Sequence, residues 1–118
     1  MAATKAFFIL LSLIVQTITL KPIKIVQPKI IENENKGAAI LEVEGNKIAE
    51  MTYSRATPNL VIIDHTEVNE KYQGEGLGRK LLDAIVAKAR RDKFKILPLC
   101  PYAKSEFVKD ASIKDVLK

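Results

Sequence analysis

The sequence predicts a mixed α/β (α+β) domain, and three observations predict it. Two alternating segments, Ala38 to Val43 and Ile48 to Arg55, flank a turn, and a further strand runs from Leu60 to Val68. A glycine-rich stretch from Gln73 to Gly78 then opens an amphipathic helix. Another buried strand follows that helix.

Composition bounds what such a domain can be. A chain of 118 residues, 47% hydrophobic and 28% charged, suits one globular unit with one modest core and excludes two catalytic domains. The net charge of +5 attracts anions without choosing among nucleic acid, acidic membrane and a polyphosphorylated cofactor. Aromatic platforms between basic residues are sparse, so no nucleic-acid partner is expected. A single cysteine, Cys100, permits no internal disulfide, and with one histidine beside it too few soft ligands exist for zinc. No metal is expected.

Residues 1–28 read as an appendage to a domain spanning 29–118. Lys5 precedes an apolar run, Ala6 to Val15, that Gln16 breaks and Ile18 and Leu20 resume. The run has the shape of a signal-peptide core, yet it falls short of the roughly 20 apolar residues that cross a bilayer, and no small-x-small cleavage site precedes Lys21 and Pro22. Two readings stand: a targeting segment or anchor, and an early start or a helix packed on a partner. The expected location is cytoplasmic, with membrane contact only if residues 6–20 are retained as an anchor. Ile23 and Ile25, between Pro22 and Pro28, allow a short edge strand.

Within the domain, Glu44, Gly45, Asn46 and Lys47 supply turn chemistry, because Gly and Asn tolerate positive φ. In the second arm Ala49, Met51 and Tyr53 face one way and Glu50, Thr52 and Ser54 the other. The strand from Leu60 begins apolar and turns polar at Asp64, as a central strand leading into a site would. Leu81, Leu82, Ile85, Val86 and Ala89 recur at helical spacing. Phe94 to Leu99 reads as a buried strand that Pro98 and Pro101 terminate, ahead of a weakly helical tail from Ala103.

The glycine loop joins a strand to a helix N-terminus, which makes an anion trap. Glycines let the backbone approach a phosphate, and the first turn of a helix offers unpaired N–H groups in a favourable dipole. A P-loop would need Gly-Lys-Ser or Gly-Lys-Thr, but Arg79 and Lys80 follow Gly78. A dinucleotide fold would need Gly-x-Gly-x-x-Gly, but Gly74, Gly76 and Gly78 are spaced by two.

Gln-x-x-Gly-x-Gly, read at Gln73, Gly76 and Gly78, resembles the coenzyme A pyrophosphate loop of the GNAT superfamily of N-acetyltransferases. His65, Thr66, Glu67 and Val68 ahead of it, and Pro98 to Tyr102 behind it, resemble a compact single-domain subgroup, and these pieces span most of residues 37 to 107. The resemblance implies a mostly antiparallel sheet with a splayed central strand pair. It further implies acetyl-CoA as cosubstrate, an unidentified amine as acceptor, and cofactor contacts from Val68, Gln73, Gly74, Glu75, Gly76, Leu77, Gly78, Arg79 and Lys80. The alternative is a non-catalytic acyl-CoA-binding or sensing module.

Four side chains are candidates for the chemistry. His65 and Glu67 lie two apart on one strand face and suit the base that deprotonates the amine, although a hydrogen-bonded histidine and a capping or ion-paired glutamate have the same residue types. Cys100 suits a nucleophile or proton donor, or a small buried hydrophobe. Tyr102 suits the donor to a departing thiolate. Tyr72 either packs on the cofactor or is a plain surface aromatic.

Overall fold

A computed structural model describes residues 27–118. Five strands form one sheet in sequence order: β1 (Lys29–Glu32), β2 (Lys36–Val43), β3 (Asn46–Thr57), β4 (Leu60–Val68) and β5 (Lys95–Pro98). The first four pair antiparallel and β5 joins β4 in parallel. Helix α1 (Leu77–Asp92) makes that crossover, and helix α2 (Pro101–Lys109) with a 3-10 stretch (Ala111–Val116) follows β5. The short edge strand expected around Ile23 and most of the appendage lie outside the described residues.

The helical stripe is buried as its spacing requires. Leu81, Leu82, Ile85, Val86 and Ala89 pack on Ala39, Leu41, Ala49, Met51, Tyr53, Val61 and Ile63, and Ala103, Phe107, Ile113 and Val116 complete the same cluster. Among the described residues the helices therefore cover one face of the sheet, and the face that carries Glu50, Thr52 and Ser54 has no helix upon it. Tyr53 anchors β1 from within the core: its buried hydroxyl donates to Glu32 Oε2 at 2.6 Å, and its ring occupies the space a side chain at Gly37 would need. Burial and that bond to Glu32 raise the tyrosine's pKa, and the same bond lowers that of Glu32.

Several elements differ from the sequence reading for identifiable reasons. The hairpin turn places Glu44 (φ 51°) and Gly45 (φ 79°) in the left-handed region, whereas Asn46 belongs to the strand and pairs with Val43. A two-residue hairpin loop takes positive φ at both central positions, and the favourable twist offsets the strain at Glu44. Phe94 and Leu99 fall outside β5. Phe94 is buried under the Arg55 guanidinium, 5.2 Å from its ring centroid, and Leu99 is 62% exposed. The C-terminal helix starts at Pro101 rather than Ala103, since a proline in the first turn forgoes an N–H that would have no partner there. Strand β1 is four residues long, too short for alternation to announce it.

Candidate functional site

The site grows from an incomplete strand pair. β4 pairs with β5 only from Leu60 to Ile63, against Lys95 to Pro98. Pro98 has no N–H to continue the ladder, and the Leu99 and Cys100 N–H groups both donate to the Ile63 carbonyl at 3.1 Å, turning the chain off the sheet into α2. Among the described residues, one edge of β4 from Asp64 to Val68 thus has no strand beside it.

A register shift shapes the same stretch. Tyr53 pairs with Ile63 and Thr52 with His65, which leaves Asp64 bulged and held by Ser54, whose hydroxyl donates to Asp64 Oδ2 at 2.6 Å. The bulge moves the alternation by one position. Ile63 and Thr66 therefore both face the helices, whereas His65 and Glu67 face the uncovered side.

Past Val68 the chain turns tightly. The Asn69 N–H donates to the Ile48 carbonyl at 2.7 Å, and the Asn69 side chain accepts from the Lys71 N–H at 3.0 Å, forming a single 3-10 turn over Glu70–Tyr72. Gln73 reaches back, its Nε2 donating to the Val68 carbonyl at 3.4 Å. Gly74 and Gly76 take φ of 83° and 74°, where an L side chain would be strained. Gly76 caps α1 without a side-chain bond, and no acidic residue lies in the first helical turn. The helix's first bond is from the Lys80 N–H to the Gly76 carbonyl, so the N–H groups of Leu77, Gly78 and Arg79 have no acceptor within the helix. Together with the dipole, these N–H groups make the helix start electrostatically favourable to an anion.

The predicted cofactor contacts divide by location. Gln73, Gly74, Glu75, Gly76 and Lys80 are exposed, while the Leu77 side chain is 2% exposed within the core, so only its N–H faces the loop. Gly78 lies beneath Tyr102: a Cβ there would sit 2.8 Å from two ring carbons. Arg79 is turned to another task. Its guanidinium binds Asp83 at 2.8 Å, Glu106 at 3.4 Å and also Asp110, joining the first turn of α1 to the end of α2. These carboxylates raise the Arg79 pKa, and bonds from Ser112 and then Arg79 hold the Asp110 carboxyl down to about 2. Tyr72 packs against the core.

The four chemical candidates fall into two groups on opposite sides of β4. On the uncovered face His65 Nε2 is 3.4 Å from Glu67 Oε1, with side chains 63% and 69% exposed. An open recess of ≈ 720 Å³ adjoins Glu67, lined also by Glu50, Val68 and Gln73 among others. On the helical face Cys100 is buried, its Sγ 3.1 Å from Thr66 Oγ1, and Tyr102 follows in the first turn of α2. Burial first, then the Glu106 carboxylate, raises the Tyr102 pKa, so the phenol stays protonated at neutral pH. Sequence reasoning missed Thr66. Period-two alternation did separate it from His65 and Glu67, but its partner is 34 residues away. The basic side chains of α1 mostly have carboxylate partners: Lys88 binds Glu32 and Asp92, and Arg90 binds Asp115. Among the described residues no cluster suited to a metal ion occurs, and no helix is long and apolar enough to cross a membrane.

Comparison with known proteins places this geometry. A family model described as GCN5-related N-acetyl-transferase matches residues 38–116. No curated protein matches the chain. Among solved structures, the chain is similar to a GCN5-like protein of Staphylococcus aureus, provisionally assigned as an N-acetyltransferase. The two are 38% identical over 78% of this chain and 89% of that one, with a TM-score of 0.59. A ribosomal-protein-alanine N-acetyltransferase of Brucella melitensis shares the fold at 19% identity, with 67% of this chain and 63% of that one covered and a TM-score of 0.57. N-acetylglutamate synthase of Neisseria gonorrhoeae, solved with coenzyme A and N-acetyl-glutamate, is 26% identical. That match covers 61% of this chain and 18% of the synthase, with a TM-score of 0.51. The chain belongs to the GCN5-related N-acetyltransferase family.

Proposed function

We propose that the chain transfers an acetyl group from acetyl-CoA to an amine. The observation that carries this reading is the unpartnered edge of β4, which runs directly into the glycine loop and the free N–H groups of α1. The residues fit the cosubstrate: Gly74 and Gly76 leave the loop backbone bare, and Leu77, Gly78 and Arg79 offer N–H donors to a pyrophosphate. Val68 would line the arm beside β4, Gln73 would hold the loop against it, and Lys80 would meet phosphate oxygens from the exposed helix start. Arg79 would contribute its N–H, its side chain being committed to three carboxylates.

When bound, acetyl-CoA supplies a thioester carbonyl that a neutral amine attacks, with the thiol as leaving group. Glu67, paired with His65, takes the proton from the amine on the uncovered side of β4. Tyr102 holds a proton for the departing sulfur on the other side, with Cys100 as a second donor beside Thr66. Backbone N–H groups on the free edge of β4 supply donors to the carbonyl oxygen.

The test has two stages. Acetyl-CoA is expected to raise the melting temperature, as a ligand of the folded state must. Thiol release, followed over a panel of amines, then reads turnover. Stabilisation without any amine-dependent release would assign an acyl-CoA-binding or sensing module instead, and no stabilisation by any coenzyme A species would end both readings.

A further inference from the structure

The sheet face that no helix covers among the described residues has an organisation that the acetyl-transfer reading leaves unused. Strand register lines its residues into two rows across four strands: Ile31, Ala38, Thr52, His65 in one, and Lys29, Ile40, Glu50, Glu67 in the other. Each row ends on one of the paired side chains assigned to the base. Two recesses follow these rows. One, of ≈ 820 Å³, is lined by Ile31, Ala38 and Ile40 with Thr52 and Asp64. The other, of ≈ 720 Å³, reaches Glu67 and Gln73. They share Lys47 and Glu50, so they form one trough from the sheet edge to Gln73 at the start of the glycine loop.

Size, charge and solvent exposure together select an occupant. A proton-transfer site works better once water is excluded, yet the His65 and Glu67 side chains are 63% and 69% exposed. A small amine resting on Glu67 would leave most of the trough wet, whereas an extended polypeptide along it would cover the base and the apolar end together. The charge is also biased. The chain carries a net +5, but the trough lining holds five carboxylates, Glu32, Glu50, Asp64, Glu67 and Glu70, against three lysines, Lys36, Lys47 and Lys71. Glu50 and Glu67 are direct cross-strand partners, an unfavourable pairing of like charges that Lys47 relieves on one side at 2.8 Å and a ligand cation would relieve further.

We infer that the acceptor amine belongs to a cationic polypeptide lying in this trough, with its amine at Glu67 and an apolar residue seated at Ile31 and Ile40. Ile31, 55% exposed, is three strand spacings from His65, about 14 Å, or roughly four residues of extended peptide. The inference rests on the acetyl-transfer reading and goes beyond it in naming the substrate class.

The experiment uses the full chain with acetyl-CoA and three probes. The first is a synthetic decapeptide with a free α-amine, arginines at its second and third positions and leucine at its fifth. The second is its α-N-acetylated copy carrying one lysine, and the third is a pair of small amines, spermidine and tyramine. The first two arms distinguish an N-terminal acceptor from a side-chain one. At least one peptide is expected to exceed both small amines in kcat/KM by about tenfold or more, the scale of burying one aliphatic side chain. Ile31→Glu is expected to lower peptide kcat/KM by a similar factor while leaving the acetyl-CoA thermal shift and small-amine turnover unchanged. Small amines that match the peptides overturn the inference, as does an Ile31→Glu variant that treats both alike. So does the absence of peptide-induced NMR shifts at Ile31, Thr52 and His65, the result if another part of the chain or a second copy fills the trough. If acetyl-CoA itself fails to stabilise the chain, the acetyl-transfer reading falls instead.

Discussion

Two glycines face the same steric problem and are expected to answer an added methyl group in opposite ways. At Gly37 a Cβ would stand 2.3 Å from Tyr53 Cζ and 2.4 Å from its hydroxyl oxygen, and at Gly78 it would stand 2.8 Å from Tyr102 Cε2 and Cζ. Contact distance alone ranks both as severe. Burial decides between them. Tyr53 is 1% exposed and bonded to Glu32, so Gly37→Ala must displace a ring with nowhere to go and break its hydrogen bond. Overpacking costs about 1–3 kcal/mol and an unmet buried donor about 1–3 kcal/mol, giving a loss of about 3 kcal/mol. Tyr102 is 36% exposed and can swing outward. Gly78→Ala also gains about 1 kcal/mol of helix propensity, which offsets most of the packing cost and leaves stability within about 1 kcal/mol of wild type. Urea unfolding at constant m-value measures both.

The same displacement carries a second signature. Burial is the main reason the Tyr102 pKa is raised, so a ring pushed into solvent should titrate closer to the ordinary value of 10.0. Carbon-13 NMR of ring-labelled tyrosine reads this directly. A Gly78→Ala protein as unstable as Gly37→Ala, or one whose Tyr102 titration is unmoved, would refute the claim that Tyr102 sits over the start of α1 because Gly78 has no side chain.

Further expectations follow from the same contacts. Asp110, whose carboxyl Ser112 and Arg79 hold down to about 2, stabilises the fold above its unfolded pKa of about 4 and loses that contribution as pH falls through 4 toward 2. Asp110→Asn should therefore lower the melting temperature at pH 7 and flatten its decline between pH 4 and 2. Tyr102→Phe should reduce thiol release by about 100-fold with acetyl-CoA affinity unchanged, and Glu67→Gln should do the same, each removing one proton-transfer group; equal turnover in either variant removes that residue from the mechanism. Inorganic pyrophosphate should compete with acetyl-CoA for the loop, and the competition should weaken as salt is raised.

What the sequence made legible was whatever chain-local spacing controls. The stripe from Leu81 to Ala89 identified a helix because every member of it is buried on one face. Gly74 and Gly76 marked the loop because the backbone there takes positive φ, which glycine tolerates without strain. His65 and Glu67 were readable as neighbours because two strand positions apart means one face.

The direction of that face was not readable. Extending the alternation of Val61 and Ile63 would point His65 and Glu67 into the core, and only the bulge at Asp64 turns them outward. A bulge leaves no compositional trace at a residue as ordinary as Asp64. The side-chain partners of Arg79 were unreadable for a related reason. Beside a phosphate loop an arginine suggests phosphate, but two of its partners are 27 and 31 residues away and become neighbours only when Pro98 and Pro101 turn the chain back over α1. Gly78 completes the pattern. The motif reads it as a place for a ligand, and the fold also sets Tyr102 against it. One missing side chain thus lets a phenol from α2 pack against the first turn of α1. The loop that would hold the cofactor and the group that would protonate its leaving sulfur are positioned by the same glycine, which is why Gly78→Ala probes function more sharply than stability.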